Sequence, residues 1–539
     1  MIFYILTVGL LLLTVIYIPS SGGEGVNLPV NIFFLIGVGI FLICIPAMTK
    51  KDVRCKYHSL FIFGLLLIML PWGLCIMHSS GVILLFLMLV IWLAMAWIEF
   101  TPDLKRKILC AIFIIAVAQC FIGMIQSFMP NLALSWFEYN WLRNQGRPYG
   151  IFQQVNLFAS FLATAAGCGC LSLFQEPRLL VRRLYLGGLS LLAFMLALNQ
   201  SRTGELGAIA IVLMLSGLHW RSQQKCCLSI FFVMLIGATL GSWVVQHMVI
   251  LVDGQPHLLS RTYIASNLMR WNIIRVTWQM ILDKPWSGWG YGSFPVQFAR
   301  YLLAHPELKK IDFVVITHPH NELLFAWFQG GIIALCGMLL LVSGWVNAII
   351  KSIRRGPQAT GAVLLIVPLL LHLNLEYPFY QSFIHLGVFV LLLRIGFDEN
   401  GKQFSLVKAK KCTRLNYTLG AVLGVMLLTY SGIALYANAQ LTCYERQGLE
   451  EFPVPMPWYF YSQPDRASFD SMVALLVDYN NSRNNNDLSL FMQQAVPWSE
   501  RHLDKNVLLS MRSIYHFRGD VRAAAEVQKL YSAVSQSKE

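Results

Sequence analysis

Charge is what this chain of 539 residues has least of: Asp, Glu, Lys and Arg make up only 13% of it. A soluble globular domain carries about twice that share. With 56% hydrophobic residues as well, the shortage excludes both a soluble enzyme and a disordered chain. The 12 cysteines show no ligand spacing. Cys168 and Cys170, and the pair Cys226-Cys227, fall in or beside apolar stretches and read as small packing residues, not as a disulfide framework. No Ala-x-Ala-like cleavage site precedes Gly22-Gly23, so the apolar N-terminus reads as a retained first helix. No Asp-x-Asp pair occurs, which leaves a metal-dependent transfer without its usual carboxylates. No Gly-rich loop leads into Lys-Ser/Thr, so a nucleotide phosphate loop is missing. No internal repeat suggests a transporter built of halves.

What is there, over the first four fifths, is a succession of apolar stretches about as long as a bilayer core demands of a helix. The pattern predicts an all-α polytopic membrane protein with about thirteen spans (twelve to fourteen): 1–19, 29–48, 59–77, 81–99, 109–128, 151–174, 185–198, 205–219, 227–250, 321–350, 359–374, 380–396 and 416–437. The net charge of +14 is split among the short loops, where it sets orientation and calls for no nucleic-acid partner. Segments 49–58, 101–108, 175–184, 220–226, 351–357 and 394–415 carry 21 Lys and Arg; the alternate short loops carry only Arg143, Arg147 and Arg202. The positive-inside rule makes the first set cytoplasmic and the N-terminus internal. An odd span count puts the C-terminal segment outside. The least regular place is the pair of short spans around Arg202, where a re-entrant hairpin is the alternative. The expected organisation is a transmembrane domain over 1–437, with a large outer loop at 251–320, and an outer helical appendage over 438–539. The appendage shows helical periodicity at Met472, Leu475, Leu476, Ala523, Ala524, Val527 and Leu530, without a clear tetratricopeptide period.

Polar residues at membrane boundaries are costly and therefore informative, and four groups stand out, all on the expected outer side. Asn199-Gln200-Ser201-Arg202-Thr203-Gly204 is a polar island whose Arg suits a phosphate, or snorkels to water. The outer loop holds Arg261, Arg270 and Arg275, then Pro285-Trp286-Ser287-Gly288-Trp289-Gly290-Tyr291-Gly292-Ser293-Phe294. Alternate glycines there let backbone N–H groups approach a ligand and Trp faces suit sugars; a tight turn anchored by Trp is the equal alternative. Thr317-His318-Pro319-His320-Asn321-Glu322 offers two histidines at a span mouth with no third metal ligand near by, which favours a metal-free base. Leu375-Glu376-Tyr377-Pro378 sets a carboxylate and a phenol at the surface, within what is otherwise an interfacial aromatic belt.

Taken together, Gln200-Ser201-Arg202-Thr203-Gly204, Arg270 ahead of Pro285-x-x-Gly288-x-Gly290-x-Gly292-x-Phe294, and His320-Asn321-Glu322 followed by Gln329-Gly330-Gly331 resemble the O-antigen ligase/polymerase superfamily of bacterial inner membranes. Gly150-Ile151-Phe152-Gln153-Gln154-Val155-Asn156-Leu157-Phe158-Ala159 and Leu375-Glu376-Tyr377-Pro378 are similar to its protein-glycosylating branch, the PglL/PilO-type O-oligosaccharyltransferases. The resemblance covers most of 140–400.

This resemblance implies transfer of a glycan preassembled on undecaprenyl pyrophosphate to Ser or Thr of a periplasmic protein, commonly type IV pilin, without cofactor or metal. It implies Arg202 and Arg270 at the pyrophosphate, with Arg261 as the alternative to Arg270. His320, which directly precedes Asn as in the family pattern, is implied as the base, with His318 in reserve. Gln154, Asn156, Asn321, Glu376 and Tyr377 are implied in substrate binding. The rival acceptors are lipid A-core sugar, for an O-antigen ligase, and a growing glycan, for a polymerase. A lipid-linked glycan flippase or transporter is the rival of another class, and it predicts charges along the middle of the spans.

Overall fold

The structure is a computed structural model and describes residues 2–20, 25–49, 58–75, 81–259, 266–308, 315–397 and 410–535. Among these residues, seven helices are long and apolar enough to cross a membrane. Five shorter apolar helices join them: Ile2–Val15, Ser59–Gly73, Gly81–Met95, Pro357–Leu373 and Phe383–Phe397. The helix Arg202–His247 has 46 residues, about 69 Å at 1.5 Å per residue, more than twice a hydrocarbon core of roughly 30 Å. It breaks at Gln223, where φ is −141° and ψ is 42°. The loop expected at 220–226 is therefore a kinked turn of helix with Arg221 and Lys225 exposed. A second departure is a hairpin, Val249–Val252 paired antiparallel with Gln255–Leu258, where apolar β-branched residues had read as the end of a span. Among the described residues everything else that is regular is helical, and the chain is an all-α polytopic membrane protein.

Helix starts follow local chemistry. Thr101 caps Pro102–Phe128 by accepting from Leu104 N at 3.3 Å, with Pro102 in the first turn and Asp103 beside it; each suits the free N–H groups of a helix start. Cys120, Cys168, Cys170, Cys226 and Cys227 are buried free thiols, as the apolar setting predicts.

Two compact units divide the chain. The first comprises Met1–Ile62, Phe86–Tyr263 and Leu341–Thr429. At its heart is Val155–Leu173, buried along nearly its whole length. Small residues let its neighbours come close: a Cβ on Gly204 would stand 2.3 Å from that of Ala159.

The second unit comprises Phe63–Leu85, Ile264–Leu340 and Tyr430–Glu539. Its tail folds as the helices Pro464–Ser482, Asn485–Ser499, Lys505–Phe517 and Val521–Ser535. The first two pack on each other, and so do the last two. Their core of Met472, Leu475, Phe491, Leu508 and Met511 also takes in Val296 and Ala299 from the helix Phe294–Ala304.

Candidate active site

The polar residues of the first unit build a connected network around Glu376. Gln154 is the N-cap of Val155–Leu173: its Oε1 accepts from Leu157 N at 2.8 Å, which turns its Nε2 to donate to Glu376 Oε2 at 2.8 Å. Asn156 Nδ2 donates to Glu376 Oε1. Its Oδ1 then accepts from Ser201 Oγ at 2.6 Å, and Ser201 Oγ accepts in turn from Gly204 N at 3.4 Å as the N-cap of Arg202–His247. Two amides of this chain, those of Gln154 and Asn156, end on the one carboxylate. Glu376 is only 9% exposed, and low-dielectric surroundings strengthen such bonds while making any unmade one costly. His372 Nε2 stands 3.4 Å from Glu376 Oε2, and its Nδ1 is 2.8 Å from Ser160 Oγ.

The approach to this network is held rigid. Gln126 Nε2 donates to Gly150 O at 2.6 Å, while its Oε1 accepts from Tyr149 N at 3.0 Å and Gly150 N at 2.9 Å. Asn199 Nδ2 donates to Pro148 O at 2.7 Å and to Val155 O at 3.1 Å. Arg147 donates from Nε to Asn199 O at 3.0 Å, and so closes the C-terminal end of Leu179–Asn199, where a cation is favoured. Tyr139 OH donates to Arg147 O at 2.9 Å. Burial pushes the Tyr149 phenol up to about 12, so it stays a neutral donor.

Gln200, left-handed at φ 55°, turns the chain between two helices. Thr203 and Gly204 are buried and Arg202 is exposed in the first turn. A cation at that helix end opposes the macrodipole on its own; an anion bound there satisfies both.

The second unit holds Arg270, half-buried on Ser266–Asp283, and both histidines. His318 is 9% exposed, and Thr317 Oγ1 is 3.0 Å from its Nδ1. The rings of His318 and His320 lie 4.3 Å apart. His320 adopts φ 56°, an uncommon conformation for a residue with a side chain, of the kind that collects at functional sites. Asn321 accepts from Leu324 N at 3.0 Å and so caps Glu322–Ile353. Arg261 lies outside the described residues. Tyr377 is half-buried beside Tyr380, their rings 6.0 Å apart.

The Trp-Gly run folds as a tight turn that braces a helix, the second of its two readings. Gly331 breaks Glu322–Ile353 at φ 62°, ψ −155°, and two carbonyls of the preceding turn become acceptors. Trp289 N donates to Phe328 O at 2.7 Å and Gly290 N to Gln329 O at 3.1 Å. The approach is so close that a Cβ on Gly288 would lie 2.7 Å from Phe328 O. Trp289 Nε1 donates to Met280 O at 2.7 Å and Trp327 Nε1 to Pro285 O at 3.0 Å. Trp286, 74% exposed, is the Trp that keeps a face for a sugar.

Sequence reasoning passed over His372 and Ser160. The signal was present: His372 precedes Glu376 by one helical turn, a polar pair at i, i+4 in an apolar stretch.

Each unit thus carries polar and charged side chains at capped helix ends of a multi-span scaffold: the Glu376 network and Arg202 in the first, Arg270 and the paired histidines in the second. Three protein-family models match the chain. One described as O-antigen ligase covers residues 187–339, one described as virulence factor membrane-bound polymerase, C-terminal, covers 361–476, and one described as protein glycosylation ligase covers 148–168. The chain belongs to the O-antigen ligase superfamily, with a segment like that of the protein glycosylation ligases. It is a multi-pass membrane ligase that transfers glycan, and its family implies a lipid-linked glycan donor with a protein or lipid acceptor. Among curated proteins nothing matches the chain.

Proposed function

We propose that this ligase is an inner-membrane O-oligosaccharyltransferase, which moves a glycan from undecaprenyl pyrophosphate to Ser or Thr of a periplasmic protein such as type IV pilin. One observation carries the protein acceptor over lipid A-core: the glycosylation-ligase match at 148–168 falls on Gln154 and Asn156, whose amides hold Glu376. The tail helices, sharing a core with the loop helix, add a protein-sized surface on the same side.

In this reading the acceptor hydroxyl attacks the anomeric carbon as its proton passes to His320. The bond from that carbon to the phosphate oxygen breaks, and undecaprenyl pyrophosphate leaves with the electron pair. The new bond forms opposite the leaving group, so configuration inverts. Arg202 and Arg270 neutralise the charge that grows on the pyrophosphate, with Arg261 as the alternative to Arg270. A preset guanidinium is worth most where charge develops. Neutral imidazole suits the base because its ordinary pKa lies near working pH. His318 and Asn321 flank the base, and Gln154, Asn156, Glu376 and Tyr377 order the substrate. No metal or cofactor has a part. The working organisation is a transferase domain over 1–437, with its 251–320 loop and the 438–539 appendage in the periplasm.

Deleting the gene and comparing glycans tests the acceptor. Loss of glycan from pilin or other periplasmic proteins, with lipopolysaccharide intact, is the expected result. Loss from lipopolysaccharide alone would move the assignment to the lipid A-core ligase.

A further inference from the structure

Ser160, His372 and Glu376 come together from two separate helical segments and are 1%, 0% and 9% exposed. The Ser160 hydroxyl lies 3.1 Å from Leu157 O, to which it can donate, and 2.8 Å from His372 Nδ1, where either atom can be the donor. The ring's other nitrogen faces Glu376 Oε2 at 3.4 Å. That oxygen already accepts from Gln154 Nε2 at 2.8 Å, and its partner oxygen accepts from Asn156 Nδ2. Two bare lone pairs facing each other in a buried site would repel, so one proton lies between Nε2 and Oε2.

We propose that His372 is a positioning residue for glycan transfer, and that it acts by holding this shared proton against Glu376. It touches neither donor nor acceptor. Pinned by Ser160 on one side, the ring fixes the carboxyl group. The carboxyl group then sets which way the Gln154 and Asn156 amides point. Asn156, with its oxygen thereby turned to Ser201, holds the cap of the helix that starts at Arg202. The relay runs from the buried ring through Glu376, Asn156 and Ser201 to the helix cap that directly precedes Arg202. Loss of the ring leaves Glu376 with an unmet proton partner in low dielectric, which is costly. The carboxyl group then rotates, the amides follow, and Arg202 loses its fixed place. The inference rests on the proposed role of Arg202 toward the donor pyrophosphate.

The test is a double-mutant cycle with full-length enzyme in proteoliposomes, lipid-linked glycan as donor and a pilin acceptor, reading donor KM and kcat separately. His372→Asn and Glu376→Gln should each raise donor KM about tenfold or more and leave acceptor KM near wild type. The double variant, with no proton to share, should do no worse than either single one. Ser160→Ala, a small deletion that keeps the pair, should raise donor KM by a few fold and serves if His372→Asn does not accumulate. Additive effects in the cycle, or His372→Asn and Ser160→Ala both with normal donor KM, overturn the inference and leave the functional reading standing. Wild-type enzyme that transfers glycan to no acceptor overturns both.

Discussion

The Gln154 amide donates to Glu376 Oε2 at 2.8 Å across 222 residues of sequence. That bond ties the mouth of one helix to the Glu-Tyr-Pro segment, and Asn156 beside it extends the tie to the cap of the helix bearing Arg202. The network is preorganised: its donors are already spent on a carboxylate, so little rearrangement is needed when charge arrives at the exposed arginine.

Replacing Arg202 or Arg270 with Lys keeps charge and loses the planar fork. Activity should fall markedly while protein level holds, with the loss at Arg202 appearing chiefly in donor KM. Binding of the lipid-linked donor unaffected by Ala at both positions would remove the arginines from the pyrophosphate.

His320→Ala should lower kcat by about 10² to 10⁴, the usual worth of a positioned base, with donor binding retained. His318→Ala should be milder. Steady-state turnover of purified enzyme decides between them: normal turnover by His320→Ala with a dead His318→Ala would exchange their roles.

Gly331→Ala should destabilise the protein. Its φ of 62° and ψ of −155° suit glycine, at a cost of about 1–3 kcal/mol for another residue. Its Cβ would also stand 2.0 Å from Trp286 O. Gly187→Ala, in a helix with nothing within 4 Å of the new Cβ, is the matched control. Thermal melting in detergent should separate the two, and equal melting points would refute the bracing role given to the Trp-Gly run.

How much of this could be read from residues alone depended on the kind of signal. Span positions were legible because a bilayer imposes one length on every crossing. The kink at Gln223 was not, since a polar stretch between apolar runs reads the same whether the helix bends or ends. Glu376 could be picked out as a polar group at a boundary, and Gln154 and Asn156 through the family resemblance, but their union needed the fold: hydrogen bonds across more than 200 residues leave no local pattern. The Trp-Gly run left two readings open for a related reason. Its N–H groups look available until Gly331, far along the chain, opens the helix that receives them.

Asp470 predicts a pH dependence in the tail. It is 4% exposed, and burial, then the Glu445 carboxylate, push it up to about 8 against the pull of Arg466. Arg466 itself is 2.7 Å from Glu445. Between the ordinary carboxyl range and about pH 8, the folded tail holds a proton that the unfolded tail has released. Tail stability should therefore fall as pH rises through that window and level off above it. Asp470→Asn should flatten the dependence. Limited proteolysis of the tail in the full-length protein between pH 5 and 9 measures it, and a tail that grows more resistant as pH rises would contradict the sign.

The most direct measurement is transfer in a defined system: purified enzyme in proteoliposomes, undecaprenyl-pyrophosphate-linked glycan, and pilin or lipid A-core as competing acceptors. The account predicts glycan on Ser or Thr of the pilin, released undecaprenyl pyrophosphate in equal amount, and both formed about 10² to 10⁴ times more slowly with His320→Ala. Glycan found only on lipid A-core, or transfer that survives loss of both His318 and His320, would contradict it.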